Sequence, residues 1–178
     1  TGYFNAVGGQ YQNGLEVLSE DGFSVLKGKN VAVVVNHTSV DYHDDHLIKL
    51  AHDEGVRIKA VFSPEHGFKG VVGAGEKVDN GFENLTGAPI YSLYGKTKKP
   101  TSEMLKGIDI LVFDMQDIGV RYYTYVSTLT LVMEAAAENG IPFIILDRVN
   151  PLGHEVEGPL LEMDFSSFVG MHPVPVSH

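Results

Sequence analysis

A chain of 178 residues, 43% hydrophobic and 20% charged, suits one domain, and such a length buries about 70% of the surface its unfolded form exposes. A formal charge of −10 argues against a nucleic-acid surface, with Lys96, Lys98 and Lys99 as the one local basic cluster, and no apolar run approaches the roughly 20 residues of a membrane span. The lack of cysteine excludes disulfides and thiolate chemistry and leaves the redox compartment open.

Residues 1–14 read as an extended arm, and a start at Thr1 rather than methionine carries the expectation of an upstream segment removed. Leu15 to Leu18 opens a short helix. Asn30 to Val35 (NVAVVV) is a short continuous apolar run, expected for a strand buried on both faces, and it ends in Asn36-His37-Thr38-Ser39. A helix follows through Glu54, capped by Asp44 or Asp45, buried along Leu47, Ile48, Leu50 and Ala51, and closed by Gly55. Arg57 to Phe62 is the next strand, with Ser63-Pro64-Glu65-His66-Gly67 directly after it. Seven glycines between Gly67 and Lys99 predict a long excursion, with a short strand near Ile90 to Tyr94. Thr101 to Lys106 suggests a brief helix. Ile110 to Phe113 is a second fully apolar strand, breaking into Asp114, Gln116, Asp117, Gly119, Arg121 and tyrosines at 122, 123 and 125. Tyr125 to Asn139 is the clearest helix, with Leu129, Val132, Met133 and Ala136 at helical spacing and Gly140 as its stop. Pro142 to Leu146 is another strand, ending in Asp147-Arg148-Val149-Asn150-Pro151. Beyond Gly153 the chain carries Pro159, Pro173 and Pro175 and reads as irregular, as though it naturally ran on.

Apolar strands alternating with amphipathic helices predict an α/β fold: a three-layer, Rossmann-like, open and mostly parallel sheet with helices on both faces. Every strong strand ends in polar residues, and in such sheets ligands sit beyond the carboxyl ends of the strands. Four strands therefore deliver functional groups to one edge. Nucleotide binding is disfavoured, because the first strand leads into Asn36-His-Thr-Ser without a glycine loop, and no P-loop occurs. The G-x-S-x-G elbow of α/β-hydrolases is also missing. The densest histidine and acid cluster, Asp41 to His46, lies where a helix begins, so its acids serve the helix dipole and no metal is expected there. Carboxylate acid–base chemistry fits better. Glu65 follows Ser63-Pro64 at a strand end beside His66, where partial burial would raise its pKa into the general-acid range. Asp114 and Asp117 come from a different strand as opposed carboxylates. Tyr122, Tyr123 and Tyr125 offer the flat amphipathic surfaces that suit a sugar ring, and Arg121 suits an acidic substituent.

Five segments in order, Ser63-Pro-Glu-His-Gly-Phe-Lys-Gly70, Tyr91-Ser-Leu-Tyr-Gly95, Phe113 to Tyr125, Asp147-Arg-Val-Asn-Pro-Leu-Gly153 and Glu157-Gly-Pro-Leu160, closely resemble the NamZ-type exo-β-N-acetylmuramidases. These are bacterial glycosidases that release N-acetylmuramic acid from the non-reducing end of peptidoglycan fragments. The resemblance implies that residues 15–178 are a Rossmann-like first domain, truncated before a C-terminal second domain that helps form the cleft. It implies a location in the cell envelope, periplasmic or secreted, and no cofactor. Glu65 becomes the matched catalytic acid, with Asp114 and Asp117 as its carboxylate partners. Asn36, His66, Gln116, Arg121, Tyr122, Tyr125, Asp147 and Asn150 become cleft-lining, sugar-binding positions. Two residues depart from the pattern: Val149 stands where proline is expected, and Ser177 where an arginine is common before the final histidine. Retaining, inverting and substrate-assisted routes all remain open, since carboxyl separations of about 5 Å favour the first and roughly 6.5–9.5 Å the second. The competing readings are a non-catalytic module that binds muropeptides and a nucleotide-binding Rossmann domain.

Overall fold

The computed structural model describes residues 11–64 and 81–178. Strands β1 (Asn30–Val35), β2 (Arg57–Ser63), β3 (Gly81–Phe82), β4 (Pro89–Ser92), β5 (Ile110–Asp114) and β6 (Phe143–Ile145) form one sheet in the order β3-β4-β2-β1-β5-β6. All neighbouring pairs are parallel except β3 with β4. The open, mostly parallel sheet is the architecture that the two continuous apolar runs predict. In β1 and β5 these runs pair Val34 with Phe113 and Val35 with Asp114 at the centre of the sheet, buried from both sides.

Helices α1 (Gly14–Glu20) and α2 (Leu47–Asp53) cover one face, and α3 (Tyr125–Glu138) covers the other. Strand pleating sorts the side chains between the layers. Val31, Val33, Val35, Val61, Ile110 and Val112 pack with Leu15, Leu18, Leu47 and Ile48. Ala32, Val34, Phe62, Leu111 and Phe113 pack with Tyr125, Val132, Ala135 and Ala136. Helix α1 starts on a capping box, with the Asn13 side chain accepting from Glu16 N–H and the Glu16 carboxylate accepting from Asn13 N–H. Gly14 then packs against the end of β6, where a Cβ would lie 2.5 Å from the Leu146 Cα. Among the described residues, no helix is long and apolar enough to cross a membrane.

Three local expectations change. Helix α2 begins later than predicted, because Asp41 accepts from the amides of His43 and Asp45 and Asp44 turns into the left-handed region at φ +63°. The acids build a turn, and His46 is the residue that caps the helix. Thr101 to Lys106 forms successive turns rather than a helix, with bonds such as Lys106 N–H to Glu103 O at 3.3 Å. On α3, Met133 is 45% exposed rather than buried. The helix instead lays Ser127, Thr128, Val132, Ala135 and Ala136 on the sheet, so small residues set its close approach.

Candidate active site

The carboxyl ends of β1, β5 and β6 meet through one hydrogen-bonded network. Asn36, 1% exposed just past β1, donates from Nδ2 to the Tyr125 hydroxyl at 2.8 Å. Its Oδ1 accepts from Thr38 N–H at 2.8 Å and from the Thr38 hydroxyl at 2.6 Å. Thr38 Oγ1 in turn accepts from Gln116 N–H at 3.0 Å, which ties the β1 loop to the β5 loop. Gln116 Nε2 donates to Asp117 O at 2.6 Å and to Val149 O at 2.8 Å, which brings in the β6 loop. Asn36 and Tyr125 thus sit at the point where strand order reverses, with β2 on one side of β1 and β5 on the other.

Below this network lies a buried ion pair. Asp114, the last residue of β5, is fully buried, and its carboxylate accepts from Arg148 Nε at 2.6 Å and Nη2 at 3.0 Å. Arg148 Nη2 also donates to Val40 O at 3.0 Å, so one guanidinium ties together the loops after β1, β5 and β6. Burial pushes the Asp114 carboxyl up, while its hydrogen bonds from Arg148 and the guanidinium charge pull it down. The Ser39 hydroxyl donates to Asp114 O, closing the cluster.

Asp117 is placed differently. Its Oδ1 accepts from Gly119 N–H at 2.7 Å, whereas Oδ2 is buried with no partner among the described residues. Asn150 donates from Nδ2 to His178 O at 2.6 Å and accepts at Oδ1 from Leu152 N–H. Gly119 joins the two residues. It has φ +73°, and a Cβ there would collide with the Asn150 amide. Gly119→Ala is therefore expected to cost about 1–3 kcal/mol from backbone strain alone, and more from displacing Asn150. Urea denaturation checks this, with Asn150→Ala expected to recover the collision part. An equal penalty in both backgrounds would show that the collision is absent.

Arg121, Tyr122 and Asp147 have other surroundings. Arg121 Nη1 donates to Pro159 O and to Val174 O, each at 2.8 Å, so this guanidinium holds the later segment in place. Tyr122 is 62% exposed. Asp147 is exposed and borders a cavity of about 450 Å³ between α1 and β6, together with Asn13, Gly14, Val17 and Ile145. Glu65 and His66 lie outside the described residues. Among those described, no group of three or more His, Asp or Glu side chains is arranged to hold a metal ion.

Sequence reasoning gave no site role to Thr38, Ser39, His46 or Arg148, although Arg148 stands among the polar residues that end a strand. For Arg148 a signal existed, since a carboxylate ending a fully apolar strand needs a buried cation. His46 carries a second role in addition to its helix cap. Its Nδ1 accepts from Ile48 N–H at 3.2 Å, so Nε2 holds the proton and donates to Asn36 O at 2.9 Å. Burial lowers its pKa below the ordinary 6.5, against the Asn36 carbonyl, which raises it. The folded state therefore prefers neutral His46. Its stability contribution is complete above pH 6.5 and is lost as pH falls below that value toward the lowered one. His46→Asn, which keeps a capping side chain, is expected to flatten the fall of the melting temperature in this window; a slope unchanged from the parent contradicts the assignment.

The chain has clear relatives. The family model described as exo-beta-N-acetylmuramidase NamZ, N-terminal, matches residues 31–178. The chain is 47% identical over 169 residues to the peptidoglycan beta-N-acetylmuramidase NamZ of Bacillus subtilis (strain 168), covering 94% of this chain and 41% of that protein. Crystal structures of two DUF1343 family proteins from Bacteroides fragilis share the fold. One has a TM-score of 0.84 at 47% identity and the other 0.78 at 38%, each covering 93% of this chain and 42% of its own. The chain thus spans about two fifths of the length of these relatives.

Proposed function

The chain belongs to the exo-beta-N-acetylmuramidase NamZ N-terminal family, and from that premise we propose that the full-length protein is a glycoside hydrolase releasing terminal N-acetylmuramic acid from peptidoglycan fragments. The observation that carries this reading is the 47% identity to the curated Bacillus subtilis muramidase over 94% of the chain. In it, Glu65 is the general acid. Its sequence position is two residues past the end of β2, a strand that runs parallel to β1 and, through it, to β5.

The geometry divides the two aspartates. Asp114 is fully committed to Arg148, so its contribution is to hold the loop after β6 against the loops after β1 and β5. Asp117 keeps one carboxylate oxygen without a partner among the described residues, and an unpaired buried acceptor is costly until a donor meets it. An amide N–H or hydroxyl of the sugar is such a donor, which suits Asp117 to orienting the substrate's acetamido group. In this reading Asn36 and Tyr125, bonded to each other, are assigned to one wall of the cleft, and Asn150 and Gln116 to another. Tyr122, Asp147 and His66 complete the sugar-binding set, and Arg121 shapes the rim through the segment it anchors. The reading needs no metal or cofactor, and it places the protein in the bacterial cell envelope or outside the cell.

The test is incubation of the full-length protein with a chromogenic N-acetylmuramic acid glycoside and with a muropeptide that ends in that sugar. Release of free N-acetylmuramic acid from both is expected, with no cleavage inside the chain of the longer fragment. Binding of the fragment without any release would instead mark a non-catalytic muropeptide module.

A further inference from the structure

A second concave surface lies toward the amino ends of the strands, away from the edge that carries Asn36 and Asp114. It is a cavity of about 500 Å³ between the starts of β1 and β2 and the turns before β5, with Arg57, Lys59 and Lys106 on its walls. All three cations are exposed, and among the described residues none of them forms an ion pair. Their gathering runs against the composition of a chain with 23 acidic and 13 basic residues. Elsewhere Lys27, Lys49, Lys99 and Arg148 each stand within 3.3 Å of a carboxylate.

The backbone builds this cluster. Val31 pairs with Ile58 and Ala32 with Ala60, so Lys59 is an extra residue without a partner on β1. Such a slip is rare between parallel strands, and it re-aims a side chain. Lys59 and its neighbour Ala60 thus line the same cavity, which strict alternation along a strand would not allow. The walls are tied together. Arg57 Nη1 donates to Asn30 Oδ1 at 3.3 Å, Asn30 N–H to Asp109 Oδ2 at 2.7 Å, and Asp109 N–H to Asn30 O at 2.8 Å. Tyr91, its ring stacked on Phe62 with centroids 5.5 Å apart, and Met104 supply an apolar side.

We propose that this cavity binds a small phosphate monoester, its phosphate among Arg57, Lys59 and Lys106 and its organic part against Tyr91 and Met104. Three like charges around one hollow repel one another, and an anion placed between them removes that cost. Charge also selects the class. The three cations against the one lining carboxylate, Glu103, leave +2, which a phosphate monoester matches at neutral pH. Its terminal oxygens suit one guanidinium fork and two ammonium groups, whereas a carboxylate has too few to meet all three. The cavity is larger than a phosphate group alone, which leaves room for the rest of the ester. It is separate from the sugar-binding edge, so its occupancy does not depend on the reaction there.

Calorimetric titration of the full-length protein with phenyl phosphate, at constant ionic strength, tests the site. Saturable one-site binding is expected, tighter than that of inorganic phosphate or benzoate. Lys59→Gln and Lys106→Gln, each with an unchanged urea midpoint, are expected to weaken it about tenfold, as loss of a charge-assisted hydrogen bond does. Lys59→Arg, which keeps the charge, should retain most of the affinity, and Lys96→Gln, outside the cavity, all of it. An absence of saturable binding, or binding that the Lys59→Gln and Lys106→Gln variants leave at the parent's strength, would overturn the proposal. Benzoate bound as tightly as phenyl phosphate would overturn it in favour of a general anion site, and inorganic phosphate bound as tightly would overturn the monoester.

Discussion

Glu65→Gln in the full-length protein is expected to lower turnover of a muropeptide substrate by about 10²–10⁴-fold while leaving the urea midpoint unchanged. The size follows from what a general acid does. It protonates the glycosidic oxygen as the bond breaks, and a sugar alkoxide cannot leave without that proton. A nitrophenolate leaves far more easily, so the same variant should lose much less rate on a nitrophenyl glycoside. That contrast separates an acid from a residue that merely binds, since loss of binding would lower both substrates alike. Equal losses would therefore end the assignment, as would unchanged turnover of the muropeptide. Asp117→Asn gives the companion measurement. If Asp117 orients the acetamido group, its loss should fall on kcat for both substrates, because the orientation is needed whatever the leaving group.

The sequence exposed the sheet more fully than it exposed the site, for a physical reason. NVAVVV and ILVF can only be strands buried from both sides, since six or fewer residues are too short for a buried helix and leave no polar face for water. From two such runs the central pair and the edge that gathers polar residues both follow. Helix α3 was legible in extent and less so in orientation. A reading by hydrophobicity favours Met133, whereas packing against a twisted sheet favours the small side chains of Ala135 and Ala136. The polar residues at the strand ends were legible as a group, and their bonding partners were not. Asn36 meets Tyr125 across 89 residues, and Asp114 meets Arg148 across 34; neither pairing leaves any local periodicity behind. The histidine cap of α2 was hidden because neighbouring aspartates are better caps by type, and only the backbone turn at Asp44 removes them from the position.

Arg148→Ala is expected to destabilise the protein by about 3–5 kcal/mol, because it leaves the Asp114 carboxylate buried and unpaired. The side chains involved are 8% and 0% exposed, so neither water nor salt can take over the missing partner. Urea denaturation of the full-length protein measures the loss, and a change below about 1 kcal/mol would show that the pair is not a buried ion pair in solution. Arg148→Lys should fall between, since a lysine keeps the charge and cannot reach both carboxylate oxygens and Val40 O from one planar group. The double variant Asp114→Asn with Arg148→Met removes both charges together and should recover much of the stability. Its turnover is then the informative quantity. The guanidinium ties the loops after β1 and β6 to the end of β5, and Gln116 and Asp117 follow β5 while Asn150 follows β6. A stable double variant that still turns over poorly, with kcat and KM both worsened, identifies the pair as the clamp that sets the distances between the cleft's walls. A stable double variant with full activity would reduce the pair to a packing feature, and would leave positioning to the Asn36–Tyr125 bond and the Gln116 bridge alone.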